Sequence, residues 1–421
     1  MQNKDLFIQT LSKLIAYKSE NSPALIGKPF GEENFKALNF FLDTAKSFGL
    51  EAINYENYIG EVCIGEGEEI GVIGHLDVVP AGEGWETDPY TLTLKDGYYY
   101  GRGVGDDKLP TLLILFILKE LKDSGVKFNK KIRLFAGCNE ETGWKDVEYF
   151  EKNYGFPEYG FSPDGDFPVS YAEKGMAVLD FCLPKLKNFN SVSGGTVINA
   201  VCAKATCQTS LDIPKELLEK HKIVASGFAL TSLGKSAHGS HPEQGENAIK
   251  PLLELCLDCG ENVEKVLQYL FYDKGGLSKI KTEQGNVTIS PDLIFEKDNV
   301  LHIKCDLRYP YPVEFDSIKE ILDRSGLTYT FDIKHPTQYV EKDGDFVKAL
   351  MTAYNQVMGE NIKPVSQCGS TFARVFRKGV AFGPEFPGGI STIHEPNERV
   401  SEKNLEKSYE IYKRAIFELI K

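Results

Sequence analysis

Positive charge is in short supply in this chain of 421 residues: 48 Lys and Arg stand against 61 Asp and Glu, a formal net charge of −13. Phosphate binding needs a concentrated basic face, so the balance argues against a nucleic-acid partner. Long apolar runs are missing as well. The longest, Leu112-Leu-Ile-Leu-Phe-Ile-Leu118, is closed by Lys119 and is far too short to span a bilayer, so no membrane partner is expected. The opening Met1-Gln-Asn-Lys-Asp-Leu carries no basic-plus-apolar leader. Cysteine is sparse: nine residues, an odd number, with no dense framework, which fits reduced thiols and a cytoplasmic location. Cys256-x-x-Cys259 is half of a metal motif without a second pair and reads as ordinary buried thiols.

Apolar material is ample. Hydrophobic residues make up 42% and aromatics 11%, enough for substantial cores, and the length suggests two domains. The spacing of apolar residues predicts helices over Asp5–Tyr17 and Glu32–Phe48, then a short strand over Ile70–Gly74. Asp96-Gly97 between Tyr90–Leu94 and Tyr98–Tyr100 is a hairpin signal. A helix over Pro110–Ser124 followed by a strand over Lys131–Ala136 implies an α/β sheet covered by helices. From about Gly175 the pattern changes to alternating strands such as Ala177–Cys182 and Val300–Asp306, with helices at Pro251–Leu257 and Phe315–Arg324. This reads as a smaller α+β domain inserted into the first. The α/β pattern then resumes with helices at Asp345–Met358 and Glu402–Ile420, giving expected boundaries at 1–178, 179–335 and 336–421.

The hard ligands fall at the ends of these strands. His75-Leu-Asp77 follows the first, Asn139-Glu140-Glu141 follows Lys131–Ala136, and Asp106-Asp107-Lys108 precedes a helix. Ser162-Pro-Asp164-Gly is expected in a loop, and Ile393-His394-Glu395 lies before the last helix. Ligands of open α/β sheets gather beyond the carboxyl ends of the strands. Each signal alone has an ordinary reading, a structural His–Asp hydrogen bond or a charged helix start. Adjacent buried carboxylates, however, repel unless a cation or proton offsets them. Two such pairs with two imidazoles point to a binuclear metal site.

At these residues the sequence resembles the di-zinc aminoacylase/carboxypeptidase family of metallopeptidases over nearly its whole length. Gly74-His-Leu-Asp-Val-Val-Pro80, Gly101-Arg-Gly-Val-Gly-Asp-Asp-Lys108 and Asn139-Glu-Glu-Thr-Gly-Trp144 are similar to its first three metal motifs. Pro163-Asp-Gly-Asp-Phe-Pro168 with Glu173-Lys-Gly175, Thr371-Phe-Ala-Arg374, and the run Phe386–Glu398 around His394 resemble the bacterial peptidase V-like dipeptidases (Xaa-His dipeptidase type). The resemblance implies a zinc-peptidase catalytic domain, a mixed sheet covered by helices, with an inserted α+β lid. It implies His75 and Asp164 on one metal, Glu141 and His394 on the other, and Asp106 bridging both. Asp77 would orient His75 from behind, and Glu140 would be the general base. Zinc is the first expectation for the two divalent ions, manganese or cobalt the alternatives.

In the insert, Gly234-Lys-Ser-Ala-His238-Gly resembles the family's lid motif, which implies that His238 stabilises the oxyanion, with Asn199 beside it. Arg308 would pair with the substrate carboxylate, or else form an ordinary surface ion pair. Asp166 would meet the substrate amino group, and Gly369 and Ser370 fall where the carboxylate pocket is expected. Leu109 stands where the family usually has glycine, and Cys368-Gly-Ser370 replaces a run of glycines. The expected activity is hydrolysis of dipeptides by a monomer or homodimer. A deacylase of N-acylated amino acids and a noncatalytic binding protein on the same fold are the competing readings.

Overall fold

A computed structural model describes residues 1–421, which divide into two compact units, 1–172 with 339–421, and 173–338. No helix is long and apolar enough to cross a membrane.

The first unit is built on a mixed sheet. Six of its nine strands run in the order Glu51–Tyr55, Ile59–Ile64, Lys131–Gly137, Glu69–His75, Tyr159–Ser162 and Lys378–Ala381. The first two pairings are antiparallel and the next three parallel. Alternation along each strand sorts side chains to two faces. Val72 and Leu134 enter a large core with the helices Lys4–Ile15, Glu32–Ser47, Lys108–Asp123, Asp345–Met358 and Glu402–Leu419. Their neighbours Ile73 and Phe135 enter a second core with Val147, Phe150, Phe372 and Phe376. The Lys108–Asp123 helix is apolar nearly all round because it is covered on several sides, touching the strand Glu69–His75 and the helices Lys4–Ile15 and Glu402–Leu419. Leu109, in place of the usual glycine, is simply part of that buried helix.

The hairpin turns at Asp96-Gly97, both residues in the left-handed region (φ 52° and 78°), as that pair suggests. Its first strand is shorter than expected, Thr93–Lys95 rather than Tyr90–Leu94. The reason lies at Asp88, whose carboxylate accepts from the Tyr90 N–H at 3.0 Å and the Thr91 hydroxyl at 3.0 Å, turning the chain before the strand can begin. The second strand, Tyr98–Tyr100, also pairs with Arg399–Ser401, which ties the segment after His394 to the segment before Asp106.

The second unit has one antiparallel sheet of eight strands in the order Val224–Ser226, Ala229–Leu233, Lys204–Thr209, Phe189–Gly194, Thr288–Lys297, Val300–Tyr309, Gly175–Pro184 and Thr328–His335. The helices Ile249–Asp258 and Phe315–Asp323 pack into a core with Leu179, Phe181, Leu301 and Ile303 from one sheet face. The Cys256 thiol is buried there and Cys259 caps the helix end, both uncrosslinked.

Candidate metal centre

Parallel pairing aligns the carboxyl ends of neighbouring strands, with His75 beside Gly137 in register. The chain leaves those strands with its acidic residues attached, so groups distant in sequence arrive together. His75 Nε2 lies 2.7 Å from Asp106 Oδ1 and 3.8 Å from Asp164 Oδ2. His394 Nε2 lies 2.9 Å from Asp106 Oδ2 and 3.2 Å from Glu141 Oε2. Asp106 therefore divides its two oxygens between two imidazoles. Two donor triplets result, His75–Asp106–Asp164 and Asp106–Glu141–His394, each with its ligand atoms within 4.8 Å of one another.

Behind the donors stands a second layer. His75 Nδ1 faces the Asp77 backbone oxygen at 3.0 Å and Asp77 Oδ1 at 3.3 Å, so the proton belongs on Nδ1 and the lone pair of Nε2 points at the acidic cluster. The Asp77 carboxylate also accepts from the Glu140 and Glu141 N–H groups, each at 3.1 Å, which fixes the loop that presents those two side chains. Asp107 accepts from the His75 N–H at 3.1 Å and from the Thr111 hydroxyl at 2.8 Å.

Two further residues shape the site, and sequence reasoning gave them no role. Buried Glu398 accepts from the N–H groups of Gly103, Gly105 and Asp106 at 2.7–3.2 Å and pairs with buried Arg102 at 2.6 Å. Burial pushes its carboxyl up to about 7, against the pull of Arg102. Asp146 accepts from the Cys138 and Asn139 N–H groups at 2.6 and 2.9 Å, and burial together with the Asp77 charge raises it to about 7. Both are backbone cradles. Their one advance signal is position, a carboxylate a few residues from a ligand.

Charge in the cluster is out of balance. Burial raises Glu140 and Glu141 above the usual carboxyl range, and burial with the Asp106 charge raises Asp164 to about 8. Desolvation would lower His394, whose side chain is half exposed, yet hydrogen bonds to Asp106 and Glu141 lift it to about 11. The protein groups alone thus call for added positive charge. Glu141 Oε1 is buried with no hydrogen-bond partner, an arrangement that is costly unless something else satisfies it. Imidazole nitrogen and carboxylate oxygen suit divalent ions of the zinc, manganese and cobalt class. The residues fit a metal pair.

The remaining expected residues divide between the units. In the first, Asp166 is exposed two residues past Asp164, and its strand partner is Glu385. Gly369 is exposed, and the Ser370 hydroxyl is buried without a partner. A Cβ on Gly165 would come within 3.0 Å of the Gln367 amide, so the 365–370 segment runs beside the Asp164 loop. In the second unit, Ala200 bridges His238 across an isolated ladder pair, and the Gly239 N–H donates to the Asn199 oxygen at 2.7 Å. A Cβ on Gly239 would lie 2.8 Å from Asp306 Oδ2, which puts Asn199, His238 and Asp306 in one cluster. Arg308 donates through Nε and Nη2 to the two oxygens of Asp306 at 2.8 and 3.1 Å. Both are buried, so the surface ion pair is corrected to an interior one. Its signal was available: residues two apart on a strand share a face.

A mixed sheet with such donors at its carboxyl ends is the frame of a metal-dependent hydrolase. The chain belongs to peptidase family M20/M25/M40, whose model matches residues 71–418, and it is a peptide hydrolase of that family. It is 32% identical to the Beta-Ala-Xaa dipeptidase of Lactobacillus delbrueckii subsp. lactis over 460 aligned positions, covering 99% of this chain and 97% of that one. The fold is similar to that of aminopeptidase PepT from Bacillus cereus, with a TM-score of 0.64 at 15% identity over 100% of this chain and 99% of that one. It is also similar to Bacillus subtilis YXEP, a dinuclear metal binding peptidase of the M20 family. That match has a TM-score of 0.52 at 11% identity and covers 98% of this chain and 99% of that one.

Proposed function

We propose that the protein is a dipeptidase that hydrolyses the single peptide bond of short substrates with a free amino terminus. The observation that carries the reading is Asp106, whose two oxygens face two different imidazoles with a further carboxylate completing each triplet. His75, Asp106 and Asp164 would hold one divalent ion, zinc first, and Asp106, Glu141 and His394 the other. The chemistry such ions supply is Lewis acidity, which polarises a carbonyl and acidifies water.

Glu140 is the proton carrier in this reading. It is next to a ligand but belongs to neither triplet, and its backbone is held by Asp77. It takes the proton of the attacking water and returns it to the leaving amine nitrogen, so the amide bond breaks to a carboxylate and a free amine. His238 and Asn199 are the proposed donors to the developing oxyanion. Arg308 is the proposed partner of the terminal carboxylate, Gly369 and Ser370 are further proposed substrate-binding residues, and Asp166 is the proposed contact of the amino group.

Glu140→Gln keeps the shape and removes the base. Hydrolysis of a dipeptide is expected to fall by about 10²–10⁴-fold while bound metal stays at the wild-type level. Unchanged turnover would remove Glu140 from the mechanism. A dipeptide with a free α-amine is expected to be cleaved and its N-acetyl form left intact. Cleavage of the acetylated form alone would make the enzyme a deacylase instead.

A further inference from the structure

A second donor cluster lies in the 173–338 unit, on the face of the sheet opposite its core. Alternation along Gly175–Pro184 sends Ala177, Leu179 and Phe181 inward and leaves Asp180 and Cys182 on the outer face. On the adjacent antiparallel strand Val300–Tyr309, Leu301 and Ile303 point inward and His302 outward. Register sets His302 directly across from Cys182. On its other side His302 is paired with Phe295, and the two rings stack at 5.0 Å with 5° between their planes, which holds the imidazole upright.

The three side chains converge on one atom. His302 Nδ1 is 3.1 and 3.3 Å from the Asp180 oxygens and 3.7 Å from Cys182 Sγ. The ligand atoms all lie within 4.8 Å of one another. A ring nitrogen has one proton or one lone pair, so it serves the carboxylate or the thiol but not both, and the thiol's other partner is the Asp180 backbone oxygen, a long contact at 3.9 Å. An ion among them serves all three. With usual zinc bond lengths a tetrahedral ion spaces its ligand atoms roughly 3.3–3.6 Å apart, close to the 3.1–3.7 Å that separate His302 Nδ1 from the other two groups. Lys304, the strand partner of Asp180, turns its ammonium over the Phe295 ring, and His302 is the one ion-pair partner of Asp180. About a fifth of the Asp180 and His302 side chains is exposed, which leaves room for water as a fourth ligand.

We propose that Asp180, Cys182 and His302 form a separate mononuclear site for a divalent transition ion of the zinc class. Thiolate, imidazole and carboxylate together favour zinc, cobalt, nickel or copper over magnesium or calcium. On binding, the Cys182 thiol gives its proton to solvent and the sulfur bonds the ion, with no change of oxidation state. The ion clips the Gly175–Pro184 strand to Val300–Tyr309. The site is independent of the peptidase reading, because the acidic cluster of the first unit offers no sulfur.

That difference supplies the test. Metal-free, full-length protein is titrated with cobalt(II), and the near-ultraviolet thiolate-to-metal charge-transfer band is followed. The band is expected to appear and saturate with one equivalent bound through sulfur, to vanish in Cys182→Ser, and to be displaced by zinc. His302→Ala and Asp180→Asn are expected to weaken cobalt binding at this site by roughly 10-fold or more, since even an outer-layer partner of a ligand is worth that much. All three variants are expected to hydrolyse a dipeptide at the wild-type rate. A cobalt-saturated protein with no such band, or a band that persists in Cys182→Ser, would overturn the proposal.

Discussion

Asp106 turns one oxygen to each histidine of the site, and the backbone that aims it is held by Glu398. The proposed ligands stand out in the sequence because metal chemistry admits few residue types and a strand end restricts their position. Glu398 does not, because a carboxylate that gathers N–H groups needs no partner at a set spacing; it simply closes the Phe386–Glu398 run. Its removal tests the cradle. Glu398→Gln keeps the volume but leaves Arg102 as a buried charge without its counter-ion, for which losses of about 3–5 kcal/mol are typical. A lower thermal midpoint is expected, with a drop in dipeptide hydrolysis under conditions where the variant is folded. A variant as stable as the parent would show that the N–H groups of Gly103 and Gly105 do not depend on the charge of Glu398.

At the scale of elements, periodicity carried most of the reading. The helix expected over Asp345–Met358 is present over those residues, and Glu402–Leu419 ends one residue before the expected end. What periodicity could not carry was side-chain competition for the backbone, as at Asp88, or close approach between layers. Gly74 is a case of the second kind. It precedes His75 on a strand covered by the Lys108–Asp123 helix, and a Cβ there would meet Thr111 Oγ1 at 1.9 Å and Asp107 Oδ2 at 2.2 Å. The strand lies that close because Asp107 bonds both the His75 N–H and Thr111. Gly74→Ala must push strand and helix apart, an overpacking cost of about 1–3 kcal/mol. The shift reaches His75, so a reduced metal content at equal free metal is expected alongside the lower midpoint. Unfolding in denaturant and metal analysis of the same preparation would separate the two effects.

At the scale of the whole molecule, the five donors span positions 75 to 394, and four separate loops of the first unit must close on the same point. Nothing in residue spacing foretold the distances; they follow from parallel strands ending side by side. Such a cluster is held together by protein hydrogen bonds and pushed apart by its own charge. A bound cation therefore stabilises the closed loops by mass action, about 2.7 kcal/mol at a free concentration 100 times its dissociation constant. Chelation is expected to act locally. The N–H groups of Glu140 and Glu141, which depend on Asp77, and those of Gly105 and Asp106, which depend on Glu398, should exchange faster with solvent deuterium when metal is removed. The amides of the Asp345–Met358 helix, which belong to the apolar core of the same unit, should keep their protection. Zinc, manganese or cobalt added back should restore the loop protection together with hydrolysis. Loops equally protected with and without metal would mean that the donors are held by the protein alone, and that the charge imbalance of the cluster is met by protons.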